Sequence, residues 1–160
     1  CGMVHMDIKP EHFMHFEGEF RLIDFDSALK EGKSVMTYRF TREFMSPEVA
    51  RAEKLQEPLT VSRAIDVWAC GLTLFHLFTG ESLEFTKEQL ASDIEDLDRI
   101  VDEKLEQSSA LDTAVKRNRH LLPIKGIVRG MLTADPSRRS NNLNRLLHQH
   151  TFFLNPKTTT

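Results

Sequence analysis

The stretch that decides the fold is I-D-V-W-A-C-G-L-T-L-F-H-L-F-T, which runs from Ile65 to Thr79. Its apolar residues lie nearly all the way round a helical period, a pattern typical of a helix buried in the centre of a core. Its most apolar part, Val67 to Phe78, is about a dozen residues long, whereas a membrane-spanning helix needs roughly twenty. We therefore predict a buried central helix that ends at Gly80.

Helical patterns continue on the C-terminal side of this stretch. Thr86 followed by Gln89 forms a capping box, which predicts the start of an acidic amphipathic helix. Its apolar stripe is formed by Leu90, Ile94, Leu97, Val101 and Leu105. Further helices are predicted around Ile124–Leu132 and Asn141–His150, separated by the turn dipeptide Asp135-Pro136.

The N-terminal part of the chain has the pattern of short strands instead. His12–Phe16 and Glu19–Ile23 flank Glu17-Gly18, an acid-glycine turn signal, and we predict a β-hairpin there. The segment from Ser27 to Arg42 is polar, which predicts an exposed loop. The predicted fold is therefore mainly α with a small β-hairpin element, a helical bundle around a buried central helix.

Composition excludes several classes of function. The 160 residues, 40% apolar and 28% charged, have the balance of one globular domain. A net charge of -3 provides no basic surface for a nucleic acid, so neither a nucleic acid nor a membrane is a predicted partner. Two cysteines are too few for a disulfide framework, and the first residues do not resemble a signal peptide. We therefore expect an intracellular protein, located in the cytoplasm, the nucleus or both.

Five motifs follow one another along the chain. H-M-D-I-K-P-E-H occupies residues 5–12 and D-F-D occupies residues 24–26. Each of these two motifs alone has an ordinary explanation, as a capped loop or as a turn after a strand. They are followed by T-R-E-F-M-S-P-E at 41–48, D-V-W-A-C-G at 66–71 and D-P-S-R-R at 135–139. In this order and at these spacings, from Met3 to about Phe153, the series resembles the C-terminal lobe of eukaryotic protein kinases of the Ser/Thr type.

The resemblance implies a role for each matching residue of the site. Asp7 would be the catalytic carboxylate, Lys9 would neutralise the transferring phosphate, and Asp24 would hold Mg²⁺ on the phosphates of ATP. Thr41 would link the catalytic residues to the activation segment and the docking site of the protein substrate, where Glu11 is also placed. Lys9, two residues after Asp7, also favours Ser/Thr over Tyr specificity.

The resemblance also implies residues with structural roles, which are His5, Phe25, Glu48, Asp66, Trp68 and Arg139. Glu48 and Arg139 would form a buried ion pair that ties the end of the activation segment to the helical core. Asp66, at the start of the central helix, would accept backbone N–H groups of the catalytic loop.

Several residues depart from the family pattern. Met6 replaces a frequent Arg that binds a phosphate on the activation loop, so switching by that route is not expected. His12 replaces the Asn that supports a second Mg²⁺, and imidazole is a poor ligand for this cation, so we expect only a weak second metal site. A zinc site formed by His12 and His15 is a minor alternative. Asp26 replaces the Gly of the D-F-G motif, whose missing Cβ lets the backbone adopt torsions that a larger residue resists. The Asp26 carboxylate is a hypothetical substitute metal ligand.

The residues that would cover ATP have no match in this sequence. The glycines, at positions 2, 18, 32, 71, 80, 126 and 130, form no G-x-G-x-x-G motif. We expect that residues 1–155 form a kinase-like C-terminal lobe, that the N-terminal lobe is absent, and that residues 156–160 form a disordered tail. An internal start is expected at Cys1. Part of the apolar surface of the central helix is expected to lie bare, where the missing lobe or a partner would cover it, and the isolated chain is expected not to turn over ATP.

Three functions remain open. The first is an ATP- and Mg²⁺-dependent Ser/Thr protein kinase, active when an N-terminal lobe completes the domain. The second is a pseudokinase that serves as an interaction module, which the departures at Met6, His12 and Asp26 favour. The third is an unrelated phosphohydrolase whose metal site uses the aspartates of the first two motifs. Retention of Asp7, Lys9 and Asp24 favours the first function, because a scaffold needs none of them for packing.

Overall fold

The computed structural model describes residues 2–139. Within this range the strands are β1 Met3–Val4, β2 Phe13–Phe16, β3 Glu19–Leu22, β4 Leu29–Lys30, β5 Ser34–Val35 and β6 Leu59–Thr60. The helices are α1 Pro47–Leu55, α2 Arg63–Thr79, α3 Lys87–Leu90, α4 Ile94–Gln107, α5 Ser109–Arg117 and α6 Ile124–Met131. The predicted helix at Asn141–His150, the end of the kinase-like segment and the predicted tail lie outside the described residues.

Helix α2 is the buried central helix that the apolar pattern predicts. It begins two residues earlier than the apolar stretch, and Trp68 and Phe75 within it are almost completely buried. Its close contact with α6 depends on Gly71, because a Cβ there would lie 2.9 Å from side-chain atoms of both Met131 and Leu132. Gly80 ends the helix in the left-handed conformation, as predicted.

The acidic helix begins later than the sequence predicts. The capping box is confirmed, since the Gln89 N–H donates to Thr86 Oγ1 over 3.2 Å and the Thr86 N–H donates to Gln89 Oε1 over 3.0 Å. The helix that this box opens is only α3, however, and the prediction of one continuous helix is wrong. Arg51 donates to the carbonyl of Ser92 over 2.9 Å, and the chain becomes extended at Asp93 before α4 begins. A tertiary contact therefore divides the helix, while Leu97, Val101 and Leu105 still form its buried stripe.

The predicted hairpin is confirmed as β2 and β3. Its register pairs Phe13 with Leu22 and Phe16 with Glu19, and both residues of the Glu17-Gly18 turn have positive φ, as a tight two-residue hairpin turn requires. The hairpin carries several large apolar side chains that are at least half exposed, namely Met14, Phe16 and Phe20.

The predicted exposed loop over residues 27–42 contains no buried residue, but it is not a loop throughout. Strand β4 in this segment pairs antiparallel with β1, and β5 pairs antiparallel with β6. Each of these strands has two residues, which is too short for an alternating pattern to reveal. Helices α1 and α5 were also not predicted, although Pro47 at the first position of α1 is a typical helix start.

Apolar surface is largely covered on the central helix. Nine residues of α2 are buried, and Leu77 near its end is 57% exposed. The bare apolar face that the sequence predicts on this helix is therefore small in the described residues. Among the helices of residues 2–139, none combines the length and the apolar character that crossing a membrane requires.

Candidate active site

The loop that carries the first motif is held by the start of α2. Asp66 Oδ2 accepts the backbone N–H of His5 over 2.7 Å, and Asp66 Oδ1 accepts that of Met6 over 2.9 Å. Burial raises the pKa of the Asp66 carboxyl, and these two N–H groups oppose that rise. Met6 is buried with a φ of 72°, a conformation that L residues rarely adopt. The two bonds to Asp66 therefore fix a strained backbone just before Asp7.

Asp7, Lys9 and Thr41 form a closed network. Asp7 Oδ1 accepts the backbone N–H of Thr41 over 2.6 Å, and Asp7 Oδ2 lies 3.1 Å from Lys9 Nζ. Lys9 Nζ also donates to Thr41 Oγ1 over 2.8 Å. Burial acts to raise the pKa of Asp7, but the hydrogen bonds from Thr41 and Lys9 outweigh it and lower the pKa below its ordinary value. Asp7 is therefore an ionised carboxylate at neutral pH, with an ammonium group beside it.

His12 lies between the two carboxylates of the first two motifs. Its Nδ1 is 2.7 Å from the backbone carbonyl oxygen of Asp7 and 3.9 Å from Asp7 Oδ2. Its Nε2 is 3.3 Å from Asp24 Oδ2. The His12 side chain is nearly buried, whereas that of Asp24 is about half exposed. One imidazole ring thus brings the carboxylates of Asp7 and Asp24 to the same site.

The second motif bends sharply at Asp24. The residue with a left-handed backbone is Asp24 itself, at a φ of 62°, and Asp26 has no positive φ. The residue that replaces the Gly of the family pattern is therefore not strained in the way that the pattern implies. The backbone N–H of Asp26 lies 3.4 Å from Asp24 Oδ1. Phe25 is 60% exposed, and its ring centre lies 5.0 Å from that of His5.

His5 and Glu11 lie at the edges of the network. The Nε2 atom of His5 is 3.1 Å from the carbonyl oxygen of Ile23, which ties the first motif to the residue before Asp24. Glu11 is exposed on the 3-10 turn Pro10–His12. The site is therefore built around the ring of His12, with Glu11 facing solvent.

Glu48 and Arg139 form a buried ion pair away from this network. Arg139 is completely buried and donates two bonds to the Glu48 carboxylate, of 2.8 and 3.0 Å. Its other N–H groups donate to the backbone carbonyls of Ala64, Thr133 and Ala134. The guanidinium carbon lies 5.1 Å from the ring centre of the buried Trp68. This arrangement uses all five N–H donors of the guanidinium group.

Sequence reasoning missed the contacts that hold the segment before Thr41. Arg63, at the start of α2, binds both carboxylate oxygens of Glu31 over 2.8 and 2.9 Å. The backbone of Gly32 and Lys33 exchanges hydrogen bonds of 2.8 and 2.9 Å with that of Val61. Glu31 and Arg63 are 32 positions apart, so no local pattern signals their pairing.

Side chains that could bind a metal do not form clusters of three or more in the described part of the chain. Residues 2–139 contain no group of three or more His, Cys, Asp and Glu side chains that could hold a metal ion. The ring of His15 packs edge-on against Phe20 on the hairpin, with 5.3 Å between ring centres, while His12 faces Asp24. The two histidines therefore have different surroundings, which does not support the alternative of a shared zinc site.

A cavity of about 260 Å³ lies next to the segment that follows Thr41. It is lined on one side by Arg42, Glu43 and Phe44, and on the other side by residues of α2 and of the segment that follows it. A larger cavity, of about 520 Å³, lies beside α1 and is lined mainly by apolar surface. The first cavity is next to the Asp7 network in the chain, because its lining begins at Arg42, directly after Thr41.

Comparison with known proteins gives the family of the chain. The family model described as "Protein kinase domain" matches residues 1–153. Human serine/threonine-protein kinase Kist is 32% identical over 149 residues, which cover 86% of this chain and 33% of that protein. Human dual specificity tyrosine-phosphorylation-regulated kinase 3 is 32% identical over 133 residues, which cover 79% of this chain and 20% of that protein.

A fungal relative is the DYRK-family kinase pom1 of Schizosaccharomyces pombe, which is 36% identical over 95 residues, covering 56% of this chain and 8% of that protein. The chain therefore spans about a third or less of the length of these relatives. Since the family model matches almost the whole chain, the chain belongs to the protein kinase family.

Proposed function

We propose that this chain contributes the catalytic loop, the metal-binding aspartate and the substrate-docking segment of an ATP-dependent Ser/Thr protein kinase. The reaction transfers the γ-phosphoryl group of ATP to a hydroxyl group of a protein. The observation that carries the proposal is the ionised carboxylate of Asp7, held by the Thr41 N–H over 2.6 Å with Lys9 Nζ 3.1 Å away.

The chemistry of phosphoryl transfer requires this pairing of charges. A phosphoryl group in transfer carries negative charge on its peripheral oxygens, so a nearby cation stabilises it and one carboxylate orients the attacking hydroxyl. In the proposal Lys9 supplies that cation and Asp7 accepts the hydroxyl proton. Each carboxylate oxygen of Asp7 has a second lone pair besides the one used by Thr41 or Lys9, so the group can still accept the substrate hydroxyl.

Asp24 fits the role of the magnesium ligand on the ATP phosphates. Mg²⁺ is usually bound through one or two carboxylates plus substrate phosphates and water, and the half-exposed carboxylate of Asp24 can supply one such bond. The ion would neutralise charge on the phosphates. The Nε2 atom of His12 lies 3.3 Å from Asp24 Oδ2. As a nitrogen ligand, it suits Mg²⁺ less well than the amide oxygen of an asparagine would.

The remaining part of the ATP site is proposed to come from an N-terminal lobe. The glycine-rich loop and the strand lysine of the family have no counterpart in this sequence, and its motifs match the C-terminal lobe alone. Residues 1–155 are proposed to act as that lobe, and the exposed apolar side chains of the β2–β3 hairpin are available to a neighbouring lobe. An intracellular location, in the cytoplasm or the nucleus, fits a kinase of this type.

The substrate is proposed to be a protein that offers Ser or Thr. Lys9 and Thr41 are the residues of the family's Ser/Thr pattern, and their side chains contact each other over 2.8 Å. The cavity of about 260 Å³ beside Arg42 and Phe44 is proposed to receive the substrate residues next to the acceptor hydroxyl, close to Glu43. The printed name of one relative, serine/threonine-protein kinase Kist, describes the same specificity.

The test uses a protein in which this chain is completed by a kinase N-terminal lobe. Transfer of labelled phosphate from Mg·ATP to a mixture of Ser- and Thr-containing proteins is compared for the unchanged protein and for Asp7→Asn. Loss of the carboxylate is expected to lower the rate by about 10² to 10⁴-fold, the range for a positioned acid-base group. The exposed Asp112 on α5 gives the matched control, Asp112→Asn, which is expected to keep the full rate. Equal rates for Asp7→Asn and the unchanged protein would refute the role of Asp7.

A pseudokinase is the second candidate function. The observation that favours it is the imidazole of His12, which lies against Asp24 at the position where the family supports a second Mg²⁺. A pseudokinase would show no transfer in the completed protein, and the unchanged protein and Asp7→Asn would then be equally inactive while both stay folded. Measurable transfer that depends on Asp7 excludes this candidate.

A further inference from the structure

We propose that His12 and Asp24 together form a metal site that prefers a divalent transition-metal ion to Mg²⁺. The inference rests on the proposed function in one respect, the assignment of Asp24 as a metal ligand. It goes further by naming His12 Nε2 as a direct ligand and by assigning the class of ion that the pair selects.

The hydrogen bond at the other ring nitrogen decides which atom of His12 can bind a metal. The backbone carbonyl oxygen of Asp7 can only accept, so Nδ1 of His12, 2.7 Å away, must carry the proton and donate it. In the neutral ring Nε2 then has a lone pair, on the side of the ring that faces Asp24 Oδ2. In the protonated ring Nε2–H donates to that carboxylate instead, and a metal ion that binds Nε2 displaces this proton.

The spacing of the two donor atoms matches that of adjacent ligands on one ion. Two atoms bound to the same ion at about 2.1 Å lie about 3.0 to 3.4 Å apart, depending on whether their bonds meet at an octahedral or a tetrahedral angle. The distance between His12 Nε2 and Asp24 Oδ2 is 3.3 Å. The pair therefore needs little rearrangement to share an ion.

The surroundings of His12 are those of a metal-binding histidine. Such residues almost always donate their second ring N–H to a carboxylate or a backbone carbonyl, which fixes the ring and makes the free nitrogen a better ligand. The bond to the Asp7 carbonyl supplies this contact, and the side chain of His12 is only 9% exposed. The ring of His5, 5.7 Å away between centres, packs beside it. His12 is consequently held in one orientation, while Asp24 stays open to solvent and to further ligands.

The donor set determines the preference of the site. Imidazole suits transition-metal ions such as Co²⁺ and Zn²⁺, whereas Mg²⁺ binds oxygen and keeps its water ligands. An asparagine at residue 12 would offer an amide oxygen and remove this discrimination. The change from the family's Asn to His12 therefore alters which ion the site selects, and it leaves Asp24 able to bind.

The test measures metal binding directly and needs no catalysis. The full chain, isotopically labelled, is titrated with Co²⁺ alone and separately with Mg²⁺ alone while its nuclear magnetic resonance spectrum is recorded. Co²⁺ is paramagnetic, so the signals of the His12 ring and the Asp24 amide should broaden first. His12→Asn is expected to weaken Co²⁺ binding on the order of tenfold or more and to leave Mg²⁺ binding unchanged or stronger.

Two further variants separate the possible results. His15→Asn removes an exposed histidine that packs on Phe20, and it should leave Co²⁺ binding at His12 unchanged. Asp24→Asn should weaken the binding of both ions. If Asp24→Asn weakens both ions but His12→Asn changes neither, the inference is wrong and Asp24 keeps its proposed role. If Asp24→Asn changes neither ion, Asp24 is not a metal ligand, and this part of the proposed function fails together with the inference.

Discussion

The ion pair of Arg139 with Glu48 and the ion pair of Lys9 with Asp7 differ in burial and in how many of their hydrogen-bonding positions are used. Arg139 is completely buried against Glu48, with every N–H donor bonded, whereas Lys9 and Asp7 are 22% and 14% exposed at their side chains. Among residues 2–139, the Asp7 carboxylate and the Lys9 ammonium also keep bonding capacity beyond the contacts that they make with each other and with Thr41. The first pair is saturated and can only hold the fold. The second pair retains access and capacity for a substrate, so the cost of losing it should fall on catalysis.

The largest effect on stability is expected at the buried pair. Glu48→Gln leaves the Arg139 charge buried without its partner, which should lower the free energy of unfolding by roughly 3 to 5 kcal/mol. Urea unfolding followed by circular dichroism measures this loss. Arg99 pairs with Asp96 and Glu103 on the surface of α4, where water screens the charges, so the matched control Arg99→Met should destabilise the fold far less. Similar losses in the two variants would contradict the distinction.

A smaller effect on stability is expected at Asp66, which lies at the start of α2 and holds the backbone just before Asp7. Asn at this position has one acceptor oxygen for two backbone N–H groups, so one of the bonds to His5 and Met6 is lost. The buried, unpaired group should cost about 1 to 3 kcal/mol. Asp66→Asn should also raise amide hydrogen exchange at His5 and Met6. Unchanged exchange there would show that Asp66 does not hold the loop.

The ion pair of Asp7 and Lys9 is expected to make the stability of the fold depend on pH in the acid range. Because the folded-state pKa of Asp7 lies below its ordinary value, its carboxylate stabilises the fold at pH values above that ordinary value. This contribution is lost as the pH falls through the lowered pKa. The difference in unfolding free energy between the unchanged protein and Asp7→Asn should therefore level off above the ordinary Asp pKa of 3.8 and shrink as the pH falls below it. A difference that does not change with pH below that value would mean that the Asp7 pKa is not lowered.

The smallest effect concerns the chemical reactivity of Cys70, which lies on the central helix α2. Burial, with a further contribution from the charge of Asp66, raises the pKa of the Cys70 thiol to about 12. The reactive thiolate is therefore scarce near neutral pH. In a Cys1→Ser background, iodoacetamide should modify Cys70 only after urea unfolds the chain. Rapid modification of the folded protein would indicate that this part of α2 opens readily.

Sequence predicted the parts of the fold that local pattern determines. The apolar period of α2, the Glu17-Gly18 turn and the stripe of α4 each lie within one element, and the structure contains all three. The break between α3 and α4 escaped prediction because it depends on Arg51 and Ser92, which are 41 positions apart. The pairing of two-residue strands around residues 27–42 escaped for the same reason, since its partners are distant in the chain.

Sequence motifs nominate the members of the candidate site, whereas its geometry has no local signal in the sequence. Motif order singled out Asp7, Lys9, Asp24 and Thr41, because phosphoryl transfer needs carboxylates and a cation. No motif indicates that Nδ1 of His12 bonds to the Asp7 carbonyl and thereby turns Nε2 toward Asp24. That orientation depends on the folded loop, which the contacts of Asp66 hold from a distant part of the chain.

The most direct test of the whole account compares activity per folded molecule in two variants of the completed kinase domain. Phosphate transfer is divided by the folded fraction, determined by circular dichroism, for Asp7→Asn and for Glu48→Gln. The account predicts that Asp7→Asn stays folded and loses transfer, whereas Glu48→Gln loses folded protein and the molecules that remain folded keep more of their activity. Full transfer by Asp7→Asn, or unfolding of Asp7→Asn as extensive as that of Glu48→Gln, would contradict it.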